Sequence, residues 1–243
     1  MRHPELRLCL CLCLLISAIG FLAAVPVLGT DEAAPKSDPG DSELAPPPEV
    51  PKGWTAVDEN IWTILADEPD TKMDQARASF ARQDGKAAAR EIRKAASLLK
   101  LEAGRAGKEG KADLLAAISD LETMAGSLEN GTVTTTAQID HAFARTHQAL
   151  AARCCIRAKR DWTDNDPAGA GQELLLAATH LDQGLRLGGG EVPASAAAVV
   201  KTTRGLAGKL AAGTGWTSEE AERGMTALGG EIERLGATLR GSR

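Results

Sequence analysis

The chain repeats itself, and the repeat restricts its fold more than any motif does. Shifted by 82 residues, ARASFARQDGKAAAREIRKAASLL (76–99) lies over AKRDWTDNDPAGAGQELLLAATHL (158–181), with seven of the 24 pairs identical. Phe80 falls on Trp162, Asp84 on Asp166, Glu91 on Glu173, Ile92 on Leu174 and Leu99 on Leu181. Without a gap the same shift pairs Ile118 with Val200, Ala125 with Ala207, Leu128 with Leu210 and Gly131 with Gly213. Apolar positions and chain breakers survive the shift together, so both halves must follow the same order of elements. The period differs from the 34-residue tetratricopeptide unit and the WxxLGxxY signature is missing, which excludes that kind of array.

Those elements are helices. From Asp58 onward Ala, Leu, Glu, Arg and Lys dominate, all good helix formers, and Gly and Pro are confined to intervals. The pattern predicts helices over 58–66, 70–83, 85–106, 110–129, 135–164, 167–187, 193–212 and 217–239. Pro167 behind Asp166 suits a first helical turn, Pro193 likewise opens a helix, and Thr217 or Ser218 before Glu219-Glu220 makes a good N-terminus. The buried seams step by three and four. In 85–106 the seam is Ala88, Ile92, Ala95, Leu99 and Ala103; in 167–187 it is Ala170, Leu174, Ala177, Leu181 and Leu185. In 135–164 it is Ile139, Phe143, His147, Leu150, Cys154, Ala158 and Trp162. So many Ala positions let helices approach to about 8 Å, leaving little interior room for a large cofactor. The expected fold is all-α: an antiparallel bundle of two duplicated helical-hairpin units, 54–155 and 156–243, packed as one domain. The long 135–164 helix closes one unit and opens the next.

The N-terminal end reads as an address. Arg2 and Arg7 precede an uncharged, largely apolar run from Leu8 to Leu28, and Val27-x-Gly29 suits cleavage before Thr30, with cleavage after Ala24 as a second choice. Residues 1–29 are therefore expected to be a signal peptide, the alternative being an uncleaved inner-membrane anchor over residues 8–28. Residues 30–53 form a Pro-rich segment with little to bury, a disordered tether. Trp54 and Trp62 flank a short amphipathic stretch between tether and repeat, expected to lid one end of the bundle with Trp62 and Leu65 inward, or else to dock a partner or membrane surface. The implied location is periplasmic or secreted.

The segment ARASFARQDGKAAAREIRKAASLLKLEA (76–103) resembles the opening helix pair of YfdX-type periplasmic helical proteins. That resemblance implies an exported α-helical protein without established chemistry.

Candidate chemistry is sparse. The net charge of −5 excludes a strongly basic nucleic-acid surface. Three of the five cysteines, Cys9, Cys11 and Cys13, lie in the leader; the neighbours Cys154 and Cys155 point about 100° apart on a helix and cannot bridge without distortion. Cys154 falls on the seam and reads as a buried thiol, whereas Cys155 lies off it, available for an intermolecular bridge. His147 and Cys154 share one seam, and a hairpin turn near Asn165 brings His180 within about a turn of His147. A His147/His180/Cys154 cluster would suit a transition metal, although its spacing is no recognised ligand motif and the repeat sets Leu98 under His180. His141 beside Asp140 is expected to face solvent. Carboxylates such as Asp58-Glu59, Asp67-Glu68 and Glu219-Glu220 read as solvated faces and helix starts.

Gly188-Gly189-Gly190 ends a helix and is no phosphate loop. Asn130-Gly131-Thr132 matches a glycosylation acceptor, set aside because the Arg- and Ala-rich usage reads as bacterial. The sequence therefore assigns no catalytic, cofactor or metal residue. Its leading functional expectation is a non-enzymatic envelope protein that binds another envelope protein or itself, or serves a structural role. A bundle that binds a small ligand or metal is the alternative.

Overall fold

The computed structural model describes residues 68–241, which form seven α-helices and no strand. They are α1 (Glu68–Ala81), α2 (Gly85–Arg105), α3 (Lys108–Glu129), α4 (Thr136–Thr163), α5 (Pro167–Leu187), α6 (Ala194–Ala211) and α7 (Ser218–Gly241). The leader, tether and 58–66 helix expected from the sequence fall, with Trp54 and Trp62, outside the described residues. None of the described helices is long and apolar enough to cross a membrane.

Local chemistry sets the helix ends. At the α1–α2 turn Gln83 takes a left-handed φ of 62° and Asp84 then caps α2, accepting from the Ala87 amide at 2.8 Å. At the α4–α5 turn Asn165 has φ 61° and Asp166 accepts from the Gly169 amide at 2.9 Å. Each carboxylate satisfies one of the amides that a helix start leaves without an intrahelical acceptor. Behind α3 and α6, Gly131 and Gly213 take φ of 67° and 69°, a left-handed conformation that costs glycine little. Gln138 Oε1 reaches back to the Thr135 amide at 3.1 Å where α4 begins, and Thr217 Oγ1 accepts from the Glu220 amide at 3.2 Å where α7 begins. The helix that opens at Lys108 is not regular until after Gly110, whose φ is 77°.

Short turns make successive helices antiparallel neighbours, and the apolar seams close on one another. One buried cluster draws on α1 to α4, including Met73, Ile92, Leu99, Leu121, Ile139 and Phe143. A second draws on α4 to α7, including Leu174, Leu181, Leu210, Leu228 and Leu239. Helix α4 supplies both, Ile139, Phe143 and Leu150 to the first and Ala151, Cys154 and Ala158 to the second. The expected seam residues are buried, except that Leu185 and Trp162 are partly covered. Trp162 meets Trp216 edge-on, ring centroids 5.3 Å apart.

Close approach concentrates on α5. A Cβ on Gly171 would lie 2.8 Å from the Ala207 carbonyl oxygen and 3.0 Å from the Ala211 amide nitrogen, both backbone atoms of the α6 end. Gly171→Ala is therefore expected to destabilise the fold by about 1–3 kcal/mol through overpacking. Gly205→Ala, in the exposed middle of α6 with nothing within 4 Å, is expected to stabilise it by about 0.5–1 kcal/mol. Urea midpoints of the two variants against the parent chain check both signs.

Candidate functional site

The α4–α5 hairpin carries two histidines across from one another. His147 and His180 are each only 4% exposed, and their Nδ1 atoms lie 3.3 Å apart with ring centroids at 5.5 Å. In the neutral pair one Nδ1–H donates to the lone pair of the other. Asp70, in the first turn of α1, adds a carboxylate: Oδ1 is 3.8 Å from His147 Nδ1 and Oδ2 is 3.7 Å from His180 Nδ1. One ligand atom from each of the three residues fits within 4.8 Å of the others.

Burial decides the charge state. Desolvation, reinforced by the neighbouring His180, holds His147 down at about 3, and desolvation with Arg157 nearby holds His180 at about 4. The carboxylate at 3.7–3.8 Å does not offset that loss of hydration. Near neutral pH both rings are uncharged, the form in which imidazole is a ligand.

The pair stands between two spaces. On one side Asp70 and His147 line a cleft of about 200 Å³ with Met73, Asp74, Arg77, Phe143, Gln183, Arg186 and Leu187. On the other, His180 borders an apolar cavity of about 50 Å³ walled by Pro69, Leu98, Leu99, Leu150 and Leu176.

The expected His147/His180/Cys154 cluster is thus corrected in one member. Seven residues return to the same helix face but advance about 10.5 Å along the axis, so Cys154 sits beyond the histidines. Its thiol instead meets Glu173; burial, then that carboxylate, raise its pKa far above the ordinary range and keep it protonated. Asp70 takes the third place. Its approach depends on how α1 docks against α4 and α5, and its own sequence context shows only an acidic first turn.

Three other expectations change. Cys155 is buried, its thiol pointing at the Met225 carbonyl oxygen at 3.9 Å, so it offers no surface for an intermolecular bridge. Position 155 faces α7, a side of α4 that the single seam left out. His141 is half-buried with Nε2 3.2 Å from the Leu239 carbonyl oxygen, again because α7 covers that face. The carboxylates are not all on solvated faces. Glu102 and Glu231 are buried, and Glu102 meets Arg153 Nε at 2.9 Å and Arg157 at 3.4 Å, while Arg157 also reaches Glu173 at 2.5 Å. This α2–α4–α5 ion chain borders the apolar cavity beside His180.

In comparisons with known proteins no family model matches the chain, and no curated protein or solved structure matches it.

Two outcomes follow from these buried groups. The unfolded chain binds protons on both histidines below about pH 6.5, whereas the folded chain resists until about 4 and about 3. Their contribution is therefore fully present above pH 6.5 and is lost as pH falls from there towards 3. At pH 5 each histidine is expected to cost on the order of 2 kcal/mol relative to pH 7. Urea titrations of metal-free protein at the two pH values check this, and His147→Leu/His180→Leu should flatten the difference. Glu102→Ala, which strands Arg153, is expected to cost about 3–5 kcal/mol, whereas Glu102→Met/Arg153→Met recovers most of it. Thermal melts of the single and double variants measure that contrast.

Proposed function

We propose that the chain is an exported, non-enzymatic helical protein that holds a divalent transition-metal ion on Asp70, His147 and His180. The observation that carries this reading is the convergence of three donors from three helices in a bundle whose core is mostly Ala and Leu. A tetrahedral ion with bonds of ~2.05 Å has ligand atoms ~3.3 Å apart. The two Nδ1 atoms have that spacing; each carboxylate oxygen is 3.7–3.8 Å from one of them, and a single ligating oxygen, within 4.8 Å of both, has to move closer on loading. Two imidazoles and a carboxylate suit Zn²⁺ and its neighbours better than soft Cu⁺ or hard Mg²⁺. A site fixed between packed helices supports a holding role.

The rest of the proposal comes from the sequence. Arg2, Arg7 and the Leu8–Leu28 run support export, with cleavage before Thr30 leaving a periplasmic or secreted chain. Descent from a doubled unit is supported by helix starts 82 residues apart: Gly85 and Pro167, Thr136 and Ser218. A second reading, a surface for another envelope protein or a second copy, is favoured by Leu101, 55% exposed, which continues the apolar lining that Leu98 and Leu176 give the cavity beside His180.

Calorimetric titration of chelator-treated protein with Zn²⁺ tests the main reading. One ion per chain is expected, with affinity falling at least about 100-fold in His147→Ala, His180→Ala or Asp70→Ala, the loss of a ligand exceeding that of a supporting contact. Absence of binding by the parent chain ends the proposal. Mass spectrometry of the chain recovered from cell envelopes or medium is expected to show Thr30 as the first residue; an intact N-terminus there supports the anchor instead.

A further inference from the structure

Gln183 lies one turn beyond His180 on α5, and its side chain lines the same cleft as Asp70 and His147. Its Oε1 is buried and receives no hydrogen bond among the described residues. A buried carboxamide oxygen left without a donor is costly, so an electropositive partner at that point is called for. The cleft's cations are already engaged: Arg77 with Asp140 at 2.8 Å and Arg186 with Asp182 at 3.2 Å. Residues three apart on a helix share a face, so Oε1 and His180 Nδ1 project to one side of α5.

The 82-residue register supplies a second, independent indication. Across 95–101 and 177–183, Ala95, Ala96 and Leu99 have the same residue in α5, and Ser97 has Thr179. Leu98 and Leu101 are the two apolar residues of α2 that become polar, as His180 and Gln183. Apolar residues give way to donor side chains at these two positions, while the adjoining seam residues Ala95 and Leu99 keep their identity as Ala177 and Leu181.

We propose that Gln183 Oε1 is the fourth ligand of the metal site, completing an N₂O₂ set with His147, His180 and Asp70. This rests on the metal reading above and deepens it: the protein, rather than solvent, closes the coordination sphere. The ligand class is a borderline divalent ion, Zn²⁺ or Co²⁺. With one carboxylate among the ligands the loaded site keeps a single positive charge, and Asp74 lines the same cleft.

Co²⁺ is the probe, because four-coordinate Co²⁺ absorbs far more strongly in the visible than the five- or six-coordinate ion. The full chain titrated with Co²⁺ is expected to give the intense tetrahedral spectrum at one ion per chain. Gln183→Leu, which installs the residue of the α2 position, is expected to shift the bands and lose intensity as more than one water enters and the coordination number rises. Because water takes the vacated place, Co²⁺ and Zn²⁺ bind only about 10–100-fold more weakly, a smaller loss than at His147, His180 or Asp70. Gln183→Glu should restore both. Metal-free Gln183→Leu is expected to melt no lower than the parent, which separates a ligand from a packing residue. An unchanged spectrum and affinity in Gln183→Leu, with the parent binding normally, overturns the fourth-ligand assignment and leaves the three-residue site standing. Failure of the parent to bind Co²⁺ or Zn²⁺ overturns both.

Discussion

The packing of α4 along α5 is the constraint from which the remaining features follow. Ala144, Ala151 and Ala158 on one helix, and Ala170, Ala177, Ala178 and Gly184 on the other, are all buried. Gly184 comes close enough that a Cβ there would lie 3.4 Å from both the Ala144 carbonyl oxygen and the His147 Cβ. Small side chains bring the backbones together, and any longer residue on those faces must then meet its opposite number. His147 and His180 are in that position. Their contact follows from the smallness of their neighbours.

The same closeness governs the charges. A bundle with so few large apolar side chains still buries Glu102, Arg153, His147 and His180. It does so in two different ways. Glu102, Arg153, Arg157 and Glu173 pair across three helices, an arrangement whose Coulombic gain offsets the hydration given up. For the histidines the Asp70 carboxylate at 3.7–3.8 Å does not offset burial, so they shed the proton and remain as neutral bases. The interior therefore holds a compensated ion chain beside a pair of uncharged nitrogen donors.

Much of this architecture could be read along the chain. Breakers such as Asp166-Pro167 and Gly213 mark real helix ends because their chemistry is local: a carboxylate over free amides, a glycine in a left-handed turn. The His147–His180 approach was legible too, since a tight hairpin fixes which residues face each other. Asp70 was not, because its place depends on the docking of α1, a contact between segments more than 70 residues apart. Gln183 is polar on a half-covered face and looks like any solvated side chain until its cleft is known. Cys155 and His141 were misjudged for one shared reason. A single apolar seam understates α4, because a helix with neighbours on several sides has no solvent face over much of its length.

That central position of α4 has a consequence for how the molecule comes apart. Because α4 gives side chains to both hydrophobic clusters, neither half retains a complete interior once α4 melts. Denaturation should then run as one cooperative event despite the doubled plan, with no stable half-molecule persisting as an intermediate. A nick within α4 would disarm both halves together.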